Sequence, residues 1–296
     1  MTDDLTSRLV TRVGDVEVWQ VPELVLPTSV RWLLPDAERA AVDAAKEWLQ
    51  PHFMDANGYL LQSIHTYLLK TPDAVVLIDT GVGNQKRRGG GIPAFDMLDT
   101  PFLERLRAAG VSREDVDLVL CTHMHTDHVG WDAYLDGDEW RPTFPRARHL
   151  FARPEYDHFA ATTQAAAPTQ QLWQDSIEPV VKAGLVDVVE PDYQVAPGIR
   201  LEPSFGHTPG HVSVKVESAG QSAVFTGDAM HSPLQAALPH LRCALGGPEE
   251  PARHARLEIL QRYAGTETLL FGAHFAFPCG GRLRREGDAF RIDALS

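Results

Sequence analysis

The sequence predicts a layered fold that mixes strands and helices, α/β or α+β, in one domain. Three observations carry that expectation. Short β-branched runs alternate with helix-like runs at irregular intervals, unlike the even spacing of a βαβ barrel. Apolar residues make up 44% and charged residues 23% of 296, the balance of a globular chain long enough to bury a sizeable core. No Pro/Ser linker, low-complexity tract or fixed-period repeat cuts the chain, so residues 1–296 are expected to form a single domain.

In chain order, 16–24 (VEVWQVPEL), 64–70, 74–79 (AVVLID), 116–122 (VDLVLCT), 212–218 and 222–228 (SAVFTGD) are short, β-branched and bounded by turn residues, so they are expected as strands. Between the first two lies a helical insertion at about 28–58, its helix expected over 35–50 with Asp36 as the cap and alanines, Trp48 and Leu49 at helical spacing. Two further helices are expected over 102–110 and 251–265, each stopped by a glycine. "LIDTG" and "FTGD" both end an apolar run on an aspartate, a faint echo of two similar halves.

Lys plus Arg is 27 and Asp plus Glu is 40, and 27 − 40 gives −13, so a phosphate backbone is repelled and nucleic acid is not an expected partner. The one basic cluster, Lys86, Arg87 and Arg88 beside the glycine run 89–91, is expected to be a solvated flexible loop, with substrate steering as the alternative. The acidic start lacks the pattern of a secretory signal, and no apolar run reaches the ~18 residues of a membrane helix, so no membrane is expected. Three cysteines, widely spaced and unpaired, fit reduced thiols. Together these predict a cytoplasmic protein.

The chemistry concentrates in "CTHMHTDHVGW", residues 121–131. His123 and His125 follow a buried strand at i and i+2 and leave one face of an extended chain. Asp127 and His128 come where the chain must turn, making two ligand pairs of nitrogen and oxygen donors. Imidazole and carboxylate suit zinc or a similar divalent ion, and the closeness suits two ions. Further donors stand at or near the ends of apolar runs: His207 in "SFGHTPGHVSV", Asp228 in "FTGDAMH" and His274 in "LLFGAHF". Singly, each is as readily a satisfied core histidine or a turn aspartate. With the first cluster they make seven donors.

In this ordered set the sequence resembles the metallo-β-lactamase superfamily, on Asp79 in "LIDTG", His123, His125, Asp127 and His128 in "THMHTDHVG", His207 in "GHTPGH", Asp228 in "TGD" and His274 in "GAH". The resemblance implies an α+β fold, a four-layer αββα sandwich with metals at one sheet edge. It implies that His123, His125 and His207 hold one ion, that Asp127, His128 and His274 hold the other, and that Asp228 bridges them. Asp79 would steady a histidine ligand, and His211 would either do likewise or make a structural hydrogen bond.

Within the superfamily, flavodiiron proteins carry Glu where His125 stands, β-lactamases usually lack the acid at Asp228, and RNA-processing members present basic surface. Glyoxalase II members use late basic residues that Arg282, Arg284 and Arg285 do not clearly match. The chain is most similar to the lactonase and methyl parathion hydrolase-like branch. That implies a dinuclear zinc hydrolase of esters, lactones or phosphotriesters, with an iron-dependent redox protein, a glyoxalase II-like thioesterase and a β-lactamase as alternatives. Asp127, Asp228 and His231 are the expected catalytic residues. His231 stands where many acyl-homoserine lactonases have tyrosine, and is either a proton donor to a leaving alkoxide or a packing residue. Trp32, Trp48, Phe53, Phe275 and Phe277 are expected either to wall a pocket for an apolar or aromatic small molecule or to be plain core. The insertion helix is expected to wall that pocket or to supply a homodimer contact.

Overall fold

The computed structural model describes residues 5–89, 91–163 and 167–295, so residues 1–4 and part of the glycine run 89–91 lie outside the described residues. The chain folds into two compact units.

The first comprises Met1–Thr11, Val16–Glu23 and Ile64–Pro191. Most of a seven-stranded sheet belongs to it, in the spatial order Arg8–Val13, Val16–Thr28, Leu60–Lys70, Val75–Ile78, Leu118–Leu120, Arg148–Ala152 and Val186–Val189. Val75–Ile78, Leu118–Leu120, Arg148–Ala152 and Val186–Val189 run parallel to one another, in register Ile78 to Leu120 and Leu120 to Leu150, while Val75–Ile78 pairs antiparallel with Leu60–Lys70. "VVLI" and "LVL" are almost unbroken apolar runs because a parallel strand is buried on both faces. One core cluster gathers Val21, Leu68, Leu77, Phe102 and Trp131, the indole stacked on Phe102 at 5.0 Å between centroids. Another gathers Cys121, Met124, Val129, Phe151 and Phe159, so Met124 between the first two histidines of "THMHTDHVG" and Val129 after the last are themselves core.

The second unit comprises Arg12–Asp15, Leu24–Ser63 and Asp192–Ser296. Its seven strands lie in the order Gln194–Ala196, Ile199–Pro203, Val212–Ser218, Gln221–Phe225, Leu269–Phe271, Gly280–Glu286 and Ala289–Ala294. All pairings are antiparallel except Gln221–Phe225 with Leu269–Phe271, where Phe225 faces Phe271. The helix Glu249–Tyr263 buries Ile259, Leu260 and Tyr263 in this unit's core.

Two expectations change, the insertion helix's bounds and cap and the basic loop, and two open ones narrow. The insertion helix spans Arg39–Leu49, not 35–50, and Asp36 does not cap it: Pro35 and Asp36 turn the chain after the short helix Val30–Leu33, with the Ala37 amide donating to the Leu34 carbonyl at 3.0 Å. The helix's apolar residues Val42, Ala45 and Leu49 are buried in the second unit's core, so the face that prompted a dimer contact has a partner within the chain. Phe53 and Phe275 meet edge-on at 6.0 Å inside the same core rather than walling a pocket, while Trp32 is half exposed. Finally, the basic cluster is no solvated loop. Lys86 is fully buried, its ammonium donating to the Asp175 carbonyl and to Ser176 Oγ and lying 4.4 Å from the centroid of the Trp140 ring. Arg88 grips the Asp175 carboxylate with two bonds of 2.7 and 2.9 Å. Buried cations persist only when paired, and Asp175 meets both.

Cys121, Cys243 and Cys279 are free and buried, and no described helix is long and apolar enough to cross a membrane.

Candidate metal centre

In the first unit, the strand Val75–Ile78 ends on Asp79, whose φ of 56° is a left-handed conformation that aspartate tolerates. The turn aims its carboxylate at the neighbouring loop. Oδ1 accepts the Thr122 amide at 2.8 Å, and Oδ2 accepts both the Thr122 hydroxyl at 2.9 Å and His128 Nδ1–H at 2.9 Å. With the proton on Nδ1 shared with Asp79, Nε2 of His128 carries the lone pair, the tautomer a ligand needs. His123 lies beside it, with centroids 4.0 Å apart and the rings tilted by 48°, and His123 Nε2 lies 3.1 Å from His125 Nδ1. Asp127 Oδ1 lies 3.8 Å from His128 Nε2. The loop between is fixed by Glu155, which accepts the Met124 amide at 2.9 Å, and by the Cys121 thiol donating to the His123 carbonyl at 2.9 Å. Burial, reinforced by the nearby carboxylates, pushes that thiol well above its usual range, so Cys121 stays protonated.

In the second unit, Gln221–Phe225 is followed by the short turn Gly227–Ala229, which presents Asp228. His207 Nε2 lies 3.4 Å from Asp228 Oδ2, His231 Nε2 3.2 Å from the same oxygen, and His274 Nε2 3.1 Å from Oδ1. His274 is oriented by Nδ1–H to the Ser63 carbonyl at 3.1 Å. His211 accepts the Asp228 amide on Nε2 at 3.0 Å, which puts its proton on Nδ1 facing Ser204 Oγ at 2.8 Å. It therefore holds the backbone of Asp228. His231 is pinned by main-chain bonds from Gln62 Nε2 to its carbonyl at 2.9 Å and from its amide to Gln235 Oε1 at 2.8 Å. Burial works against its charged imidazolium, yet Cys243 and Asp228 outweigh that and raise its pKa to about 10. A cleft of about 10 Å³, room for roughly one water, is lined by His207, Asp228, His231, Cys243 and Arg256.

In the second unit His207, Asp228 and His231 form a group whose ligand atoms lie within 4.8 Å of one another. Imidazoles and carboxylates alone, with His128 and His274 oriented from behind, are a donor set that fits zinc or a similar divalent ion. Sequence reading did not single out Glu155, Gln62 or Glu23. Glu23 had a signal, a lone charge inside the apolar strand "WQVPELVL".

Residues 61–273 match the sequence pattern of the Metallo-beta-lactamase superfamily, and the chain belongs to that superfamily. Among curated proteins, it is 26% identical over 177 residues to an N-acyl homoserine lactonase of a Bacillus species, covering 56% of this chain and 63% of that one. It is 27% identical over 168 residues to the N-acyl homoserine lactonase AiiB of Agrobacterium fabrum, covering 52% and 57%. The chain thus spans less than two thirds of the length of these relatives. Among solved structures, the hydrolase AbOPH in the beta lactamase superfamily matches at a TM-score of 0.81 and 22% identity over 99% of each chain. The dizinc quorum-quenching lactonase AidC matches at 0.78 and 20%, again over 99% of each. These neighbours share the metallo-β-lactamase fold, an α+β class.

Proposed function

We propose that this chain is a metal-dependent hydrolase that holds two divalent ions, zinc the expected pair, and opens lactones. N-acyl homoserine lactones are the first substrates to try, and aryl esters and phosphotriesters the second. The observation that carries the reading is the set of seven His and Asp donors in the order of the family pattern, with His128 oriented by Asp79 and His274 by the Ser63 carbonyl. His123, His125 and His207 would hold one ion, Asp127, His128 and His274 the other, with Asp228 shared. The lactonase relatives support the substrate class.

Ions so held would lower the pKa of a water towards neutrality and polarise the ester carbonyl. The protein's own part follows from its geometry. Asp228 carries the charge that offsets the repulsion of two cations, and His211 fixes its backbone so that the carboxylate keeps its place. His231, 3.2 Å from Asp228, is placed to give a proton to the departing alkoxide. An ion held by Asp228 would draw on the carboxylate charge that, after Cys243, raises the His231 pKa, and the proton would then be easier to give.

Purified protein is expected to contain close to two metal ions per chain, and chelation to abolish hydrolysis of a panel of γ- and δ-lactones, acyl-homoserine lactones, aryl esters and aryl phosphotriesters. An active, metal-free preparation overturns the reading. Stoichiometric iron with oxygen consumption replaces it with a redox role.

A further inference from the structure

We propose that Glu23 is a positioning residue for the metal donors of the first unit, a claim that rests on the metal-binding reading above. Its carboxylate is fully buried in the strand Val16–Thr28, and it touches two loops at once. From the loop after Asp79 it accepts the Val82 amide at 2.6 Å and the Gly83 amide at 3.1 Å. From the loop after His128 it accepts Trp131 Nε1–H at 2.7 Å. Thr100 Oγ1 stands at 3.4 Å.

Those two loops carry Asp79 and the histidine that Asp79 orients. They are laced directly by the Thr80 amide to the His128 carbonyl at 2.7 Å, the Gly130 amide to the Gly81 carbonyl at 2.7 Å and the Trp131 amide to the Thr80 carbonyl at 2.9 Å. The approach is too close for side chains: a Cβ on Gly130 would run into the Val82 carbonyl, and one on Gly81 into the Glu23 carboxylate. Glu23 therefore closes the open side of a backbone clamp whose other side is the Asp79–His128 bond.

A buried carboxylate is a costly way to fill a core. Burial pushes the Glu23 carboxyl above its usual range, against the hydrogen bonds from Val82, Trp131, Gly83 and Thr100 that hold the charged form. An apolar side chain would fill the space but leave the Val82 and Gly83 amides and the Trp131 indole without their acceptor. The carboxylate is fitted to these donors, and Arg105 beside it donates to the Pro22 and Glu23 carbonyls at 3.0 and 2.9 Å, fixing the strand from which it reaches. The loops so fixed are the ones that must keep a ring nitrogen aimed at a metal.

The test is zinc affinity by competition with a chromophoric chelator, on the full chain at mildly alkaline pH. Three proteins are compared: wild type, Glu23→Gln and Val21→Ala. Val21→Ala truncates a buried core residue in the same strand and removes no hydrogen-bond acceptor from either loop. Gln keeps the shape but turns an NH2 group onto N–H donors. One of the two ions is expected to bind about tenfold more weakly in Glu23→Gln, the low end of what losing an outer support of a ligand costs. The d–d spectrum of the cobalt(II)-loaded variant should change with it, and Val21→Ala should shift neither at matched stability. Equal affinities in wild type and Glu23→Gln, or equal losses in Glu23→Gln and Val21→Ala, overturn the proposal. Should Glu23→Gln not fold, Trp131→Phe keeps the stack on Phe102 and removes one donor; it should weaken the same ion to a smaller degree, and no change overturns the proposal. Wild-type protein that binds no zinc defeats the metal-binding reading itself, a result distinct from two ions bound equally by wild type and Glu23→Gln.

Discussion

The donor sets of the two units rest on the same piece of backbone. In the first, Val75–Ile78 runs parallel to Leu118–Leu120, the next residue is Asp79, and the Asp79 amide donates to the Leu120 carbonyl at 2.9 Å. In the second, Gln221–Phe225 runs parallel to Leu269–Phe271, and the Thr226 amide donates to the Phe271 carbonyl at 2.8 Å. Each following strand leads to a histidine, His123 in one and His274 in the other. The aspartates diverge. Asp79 turns back to hold His128 and Thr122, whereas Asp228 sits among His207, His231 and His274. One kind of scaffold thus gives an acid that supports a histidine in one unit and, on the reading proposed above, an acid that holds metal in the other. The difference lies in the turn: Asp79, the first residue after its strand, itself takes a positive φ, while Gly227, the second after its strand, takes it before Asp228, whose carboxylate comes two residues further along.

Removing the donor acid should cost most. Asp228→Asn keeps the side-chain volume but not the charge, and is expected to lower the metal content and to cut lactone turnover by about 10³-fold, as befits several kcal/mol of lost electrostatic stabilisation. Elemental analysis with initial rates checks this; unchanged metal content would make the two aspartates equivalent and break the comparison. Asp79→Asn removes only a support, and should weaken metal binding or turnover by roughly 10- to 100-fold. His211→Ala reaches Asp228 through the main chain alone, so its loss should lie at or below the bottom of that range. A loss as large as that of Asp228→Asn would show that backbone placement matters as much as charge.

His231 has no counterpart in the first unit, and it sharpens the contrast in a different way. His231→Ala should slow substrates with poor alkoxide leaving groups by about 10²-fold or more, and activated aryl esters far less, because only the former need a proton on departure. Equal losses on both would leave His231 a packing residue.

How much of this was legible in the sequence follows the same division. The first set could be read in one glance because its four donors occupy six residues, and Asp79 stands at the end of an obvious strand. The second set is spread over sixty-eight positions, from His207 to His274, so only the ordered family pattern joined it. The strands at 212–218 and 222–228 were visible because a half-buried or fully buried strand is a local pattern. The helix start was missed by three to four residues, since a proline-aspartate turn looks like a cap until its hydrogen bonds are seen. Glu23 and Lys86 were missed for a deeper reason. A charge is read as solvated by default, and both are buried by contacts 59 to 108 and 89 to 90 residues away along the chain, respectively.

Lys86 allows the smallest and most selective test, since it lies in the frame of the first unit without touching a donor. Its Cε sits 2.7 Å from where a Cβ on Gly83 would be, in the stretch that Glu23 holds. Burial lowers its pKa from 10.5 to about 7, against the pull of Asp175. The folded protein therefore gives up this proton near pH 7, while the unfolded chain keeps it to about 10.5. Between those values the unfolded state binds more protons, so stability should rise with pH, by at most about 1.4 kcal/mol per unit for a single proton. Lys86→Met fills the same space with no charge and leaves Asp175 to Arg88, whose two bonds are independent of it. The variant should lose this rise, with zinc affinity unchanged. Denaturant melts at several pH values from 7 upward check the first part and chelator competition the second. A slope that survives in Lys86→Met would assign the pH dependence elsewhere, and a change in zinc affinity would extend the clamp of the first unit to include the lysine.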